Sequence, residues 1–224
     1  MEIKPPFGMF FLIMALPLLI MITAFLLVGL INRAFQELGF SPLIAFFLII
    51  GVLLGSVINI PVGNIRGMKE HHTYDSSFPP RRVKIVSEGV TRLSINVGGA
   101  IIPVTISVFL LSRMDERLYL PLLLATAFVA SVCYKLAKPV ENRGIAMPAL
   151  VPPVVASLVA LLISPHNAAP IAFISGVIGV LIGADLMNIG KIRRVAASIS
   201  IGGAGTFDGI FLTGLLSVLL VAIA

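Results

Sequence analysis

Charge is scarce in this chain of 224 residues: only 12% of positions are Asp, Glu, Lys or Arg, while 58% are hydrophobic and the mean hydropathy is +1.08. Soluble domains run near 25% charged and about 45–50% apolar, so this composition excludes an ordinary soluble fold. A single cysteine, Cys133, excludes an internal disulfide. No phosphate-cradling loop, Cys/His zinc spacing, Ser-His-Asp set or dinucleotide fingerprint is present, so no cofactor and no metal site is expected. The net charge of +6 suggests nucleic acid at first sight, but the basic residues lie in short loops between apolar runs, where membrane topology accounts for them and no nucleic-acid partner is expected.

Seven apolar runs are long enough, or nearly so, to cross about 30 Å of hydrocarbon: residues 7–31, 41–60, 93–111, 119–137, 146–164, 168–189 and 198–224. The first is too long for a signal-peptide core and reads as a retained span. Pro148, Pro152 and Pro153 predict a kink or a broken start in the fifth. The expected class is all-α: a polytopic membrane protein of seven helices lying in the bilayer of the cell membrane. Seven spans put 13 of the 16 Lys and Arg on one side, which predicts a cytoplasmic N-terminus and an outward C-terminus.

Two similarities recur in order. Gly51-Val-Leu-Leu-Gly55 followed by Asn59-Ile60 matches Gly179-Val-Leu-Ile-Gly183 followed by Asn188-Ile189, and Ser94-Ile-Asn-Val-Gly-Gly-Ala100 matches Ser198-Ile-Ser-Ile-Gly-Gly-Ala204. They suggest two parallel three-helix repeats, residues 7–111 and 146–224, joined by a linking helix at 119–137. Sites in repeat transporters lie at such interfaces, on interrupted helices. Glycines that merely let helices approach are the alternative.

Within this apolar background two acids stand out. Asp185 and Asp208 fall in the sixth and seventh runs, where an ionisable group costs on the order of 2.5–3.5 kcal/mol to insert and is a functional candidate by default. If the Gly-rich 198–205 stretch is not regular helix, both acids lie at similar depth near the cytoplasmic side and face each other across two antiparallel helices. Two carboxyls brought together in low dielectric cannot both ionise and hold one proton between them. Such a pair suits an aspartyl protease, which activates water between two acids, or a proton- or cation-coupled carrier, and the alternative to both is a hydrogen-bonded tie between helices. Gly203, Gly205 and Thr206 flank the second acid, and Asn188, Asn59 and Asn96 near the same helix ends are candidates to line a polar cavity for a substrate or ion. His71, His72 and Asp75 form a polar cluster in the 61–92 loop, read as solvated rather than metal-binding.

The acid in Gly183-Ala-Asp185 and the element Gly203-Ala-Gly-Thr-Phe-Asp208-Gly-Ile-Phe resemble the presenilin and signal-peptide-peptidase class of intramembrane aspartyl proteases. That class carries its second Asp directly after Gly-x-Gly, whereas Thr206 and Phe207 intervene here, and Pro148-Ala-Leu150 precedes the acids instead of following them. The resemblance implies Asp185 and Asp208 as catalytic residues and a transmembrane helix as substrate. As a whole the chain also resembles a family of small multi-spanning archaeal and bacterial membrane proteins with no assigned activity. Intramembrane proteolysis is the leading expectation, transport of a small ion or solute the alternative, and a non-enzymatic membrane scaffold the third.

Overall fold

The computed structural model describes residues 7–74, 82–140, 144–192, 198–203 and 209–224. Helix α1, Phe7–Glu37, ends where Gly39 turns to φ +82°. The Phe40 N–H donates to Phe35 O and the Gly39 N–H to Gln36 O, both at 2.9 Å, and the two phenylalanine rings meet edge to face at 5.9 Å. This is a left-handed cap with its accompanying apolar contact. Ser41 then caps α2, Pro42–Gly55, accepting a hydrogen bond from Ile44 N at 3.4 Å, with Pro42 at the first helical position where a missing N–H costs nothing.

Four further long helical elements follow: α3, Ile102–Ser112, entered through a wide π turn at Val97–Ile101; α4, Tyr119–Leu136; α5, Val151–Ile163; and α6, Ala168–Val180. Pro152 and Pro153 sit in the first turn of α5, so they start the helix without kinking it. Helix α6 continues through a π turn, Leu181–Asp185, and a 3-10 turn, Leu186–Asn188, into the short α7, Ile189–Ile192. The last helix, α8, is Gly209–Ile223.

Helix α6 is the centre of the bundle. Residues from Ile171 to Val177 are all buried, as an apolar sequence without a polar face requires. Glycine allows its neighbours to close in: a Cβ on Gly183 would sit 2.8 Å from the Ala130 Cα, and one on Gly214 would sit 2.7 Å from Val177 Cγ2. By contrast, the described side chains of α1 meet the bundle in its last turns, at Ile31, Ala34 and Phe35, while Leu18, Leu19, Ile20, Met21 and Ile22 are exposed. Three helical stretches, Ala15–Glu37, Glu116–Leu136 and Pro165–Ile192, are long and apolar enough to cross a membrane, which fits a membrane protein. The other apolar helices are shorter; α2, α5 and α8 have 14, 13 and 15 residues, or about 20–22 Å of helix against about 30 Å of hydrocarbon.

The structure is mostly helical, as expected, but the all-α expectation is corrected in part by a β component. Five strands occur among the described residues: β1, Asn59–Tyr74; β2, Arg82–Asn96; β3, Lys138–Val140; β4, Gly144–Ala146; and β5, Ser198–Ile201. The described residues of the 61–92 stretch, expected as a loop, are instead antiparallel β1 and β2, paired from Asn59↔Asn96 to Tyr74↔Arg82 with a bulge between Pro61 and Gly63. His71 and His72 lie opposite Ile85 and Lys84 in it, and Asp75 lies outside the described residues. The apolar runs 41–60, 93–111 and 198–224 are thus strand at residues 59–60, 93–96 and 198–201, and residue 146, the first of the run 146–164, belongs to β4. Strand β5 joins β2 in parallel, Arg92–Ile95 against Ser198–Ile201, giving the order β1-β2-β5. The small β3–β4 hairpin packs nearby, Ile145 touching the cluster of Ile192 and Ile199.

A candidate acid site where the central helix breaks

Asp185 is the last residue of the π turn that ends the regular part of α6. A π turn leaves the backbone wider than an α-helix and recurs at functional positions. Its carboxylate reaches across to β5, where Oδ2 accepts a hydrogen bond from Gly202 N at 2.9 Å. Oδ1 has no partner among the described residues. Gly202 holds φ +74°, and a Cβ there would lie 2.7 Å from Gly99 C and 2.8 Å from Ala100 N, both in the π turn that opens α3. Only glycine fits this turn, by conformation and by space. The end of α6, the end of β5 and the start of α3 therefore meet at Gly202.

A cavity of about 380 Å³ opens beside this junction. Its walls come from the β4–α5 connection, the end of α6, β5 and the start of α8, and include Ala184, Asp185, Gly202, Gly203, Gly209 and Thr213. Asp185 is the one charged residue in that lining; no Lys, Arg or His borders it among the described residues. The volume falls at the small end of the roughly 300–1,000 Å³ typical of ligand pockets.

The three asparagines do not line this cavity. Asn96 is buried in a separate polar knot: its Nδ2 donates to Ser56 O at 2.7 Å and Asn59 Oδ1 at 3.1 Å, while its Oδ1 accepts from Gly99 N at 2.7 Å and so caps the π turn. Asn59 Oδ1 also accepts from Ser200 Oγ at 2.5 Å, which ties β1 to β5. Asn188 is fully buried and turns back on its own helix, donating to Gly183 O at 2.9 Å and Ala184 O at 3.1 Å, with Oδ1 unpartnered among the described residues. All three fix the backbone that holds Asp185 and Gly202, so they are structural neighbours of the cavity and not its wall. Asp208, Gly205 and Thr206 lie outside the described residues.

Sequence reasoning singled out Asp185 and Gly203, both in the cavity wall, and missed the Gly202 N–H as the partner of the acid. The strand before it carries a signal, since Ser198-Ile-Ser-Ile alternates polar and apolar with the period of a strand, but nothing in the sequence marks the Gly202 N–H itself. The apolar wall from Met147, Leu150, Leu212 and Leu216 carries no sequence mark that separates it from any other apolar stretch.

Residues 53–220 match the family described as protein of unknown function DUF1614, and the chain belongs to that family. No curated protein and no solved structure matches the chain.

Proposed function

We propose that this DUF1614 family member is a seven-span protein of the cell membrane with a cytoplasmic N-terminus, acting as a proton- or cation-coupled carrier with Asp185 and Asp208 as its coupling acids. The observation that carries this reading is the break in α6: the most buried helix of the bundle loses its regular form at Leu181–Asp185, and the acid at the break borders a cavity. Interrupted helices with an acid at the interruption are how carriers build a site inside a membrane, because the freed backbone groups and the acid can take and release a charge there. Gly209, the residue after Asp208 in sequence, borders the same cavity as Asp185, which favours a joint role for the two acids. The sequence-matched segments around Ser94 and Ser198 run side by side as parallel strands, Ser94 opposite Ser200, in support of two parallel repeats. Their surroundings have diverged, since Gly55 packs on Gly98 while its counterpart Gly183 packs on Ala130.

Intramembrane proteolysis is the second reading, and one observation favours it. Strand β5 pairs with β2 on one side only among the described residues, and its Ser198, Ile199 and Ser200 border the cavity. An open strand edge beside an acid can hold a peptide in the extended form that exposes its backbone to attack. The two readings separate in one comparison. The wild type, Asp185→Asn and Asp208→Asn are reconstituted, then assayed for pH-gradient-driven flux and for cleavage of a transmembrane helical substrate. Flux lost in both variants with no cleavage by any form supports the carrier. Cleavage by the wild type, lost in both variants, supports the protease. Full function in both variants leaves Asp185 as a tie to Gly202 in a membrane scaffold.

A further inference from the structure

The lining of the Asp185 cavity restricts what a carrier could hold there. The one carboxylate among its described lining residues, Asp185, has one oxygen on the Gly202 N–H and the other without a described partner, and no basic side chain borders the cavity among the described residues. Buried charges are paired, so an ionised Asp185 calls for a cationic ligand. Three classes of cation are available, and the walls discriminate among them.

A bare metal ion needs about six oxygen ligands when it sheds its water. Besides Asp185 the side-chain oxygens on this wall, among the described residues, are those of Ser198, Ser200 and Thr213. With the two carboxylate oxygens, three hydroxyls bring the described side-chain oxygens to five at most, short of the six such an ion needs. A quaternary ammonium is recognised by aromatic faces, and no aromatic ring borders the cavity among the described residues. A protonated amine differs from both, because one N–H on one carboxylate oxygen satisfies it, with charge assistance. The rest of the wall, from Met147, Leu150, Ile210, Leu212 and Leu216, offers apolar contact to a hydrocarbon body. At the roughly 30 Å³ a water occupies in the liquid, the space suits a ligand of roughly a dozen non-hydrogen atoms or fewer.

We propose that the cavity binds a small protonated alkylamine, its ammonium on Asp185 and its hydrocarbon body against the start of α8 and the β4–α5 connection. The proposal rests on Asp185 being the working acid of a carrier, and its test separates the two ideas. The full chain in detergent at neutral pH is titrated with n-hexylammonium, with 1-hexanol, tetramethylammonium and sodium as controls, and binding is read by calorimetry and by the thermal midpoint. Saturable binding of hexylammonium alone is expected. Asp185→Asn should weaken it at least tenfold, and Leu212→Trp, which fills the apolar wall and leaves the acid in place, should also remove it. Equal binding of hexanol, equal binding by tetramethylammonium, or no saturable binding to the wild type overturns the proposal, and these ligand comparisons need no variant to fold. Unchanged hexylammonium affinity in Asp185→Asn overturns it as well. Flux assays on the same preparations keep the premise apart. Asp185-dependent flux without amine binding refutes the ligand class and leaves the carrier standing, whereas amine binding without any flux supports the ligand class and refutes the carrier.

Discussion

Replacing Gly202 with alanine tests the junction that positions Asp185. The new Cβ would lie 2.7 Å from Gly99 C, 2.8 Å from Ala100 N and 2.8 Å from Ala100 Cβ, so backbone has to move and no side chain can rotate out of the way. The φ of +74° adds a left-handed conformation that costs an L-residue about 1–2 kcal/mol. Forcing extra volume into packed structure costs about 1–3 kcal/mol, and displacing the Gly202 N–H from Asp185 forfeits a further 0.5–1.5 kcal/mol or so. The expected loss is about 2.5–6.5 kcal/mol. Gly39→Ala is the control: Gly39 has φ +82° but nothing within 4 Å of a Cβ, so it should lose only the conformational part, about 1–2 kcal/mol. Cys133, buried in α4, supplies the readout, since a thiol-reactive dye labels it as the bundle opens. Labelling in increasing denaturant should show Gly202→Ala opening well before Gly39→Ala, and equal midpoints would refute the close approach of β5 to the α3 turn.

Three further outcomes follow from the same packing. Gly183→Ala puts a Cβ 2.8 Å from the Ala130 C and Cα and closer still to its carbonyl oxygen, and should part α4 from the α6 stretch, lowering stability by about 1–3 kcal/mol in the same labelling assay. Gly190→Ala, with nothing within 4 Å, should be neutral or stabilising by up to about 1 kcal/mol. Asn96→Ala removes the hydrogen bonds to Ser56 O, Asn59 Oδ1 and Gly99 N and should cost about 2–4 kcal/mol, while Asn96→Asp, which keeps the acceptor for Gly99 N but turns a buried carboxylate oxygen on Ser56 O and Asn59 Oδ1, should cost at least as much.

The sequence was most readable where one physical requirement dominated. Long unbroken apolar runs make α1, α4 and the α6 stretch legible, because crossing hydrocarbon demands them. The strands were harder, and the reason lies in particular residues. Ser94-Ile-Asn and Ser198-Ile-Ser-Ile have the two-residue alternation of a strand, but each runs without a break into Gly-Gly-Ala and then an apolar helix, so the strand blends into the helical run. The parallel pairing of β2 with β5 joins positions more than 100 residues apart, Ser94 with Ser200, and no local pattern encodes it. Asp185 was legible as an isolated acid in an apolar segment. Its partner was not, because that partner is a backbone N–H, and every residue except proline carries one.

The central claim, that Asp185 is an accessible acid in a membrane cavity and more than a packed tie to Gly202, has a direct measurement. A lipophilic carbodiimide is applied to the chain in its native membrane, and the modified carboxyl is located by mass spectrometry, with n-hexylammonium present or absent. The account predicts a carbodiimide adduct at Asp185 in the folded protein, replaced when the amine is present by the free carboxyl or by the hexylamide that the bound amine forms with the activated acid as the urea leaves. Asp185 unmodified in the membrane, yet modified after denaturation, would show a carboxyl sealed in packed protein and would contradict the account.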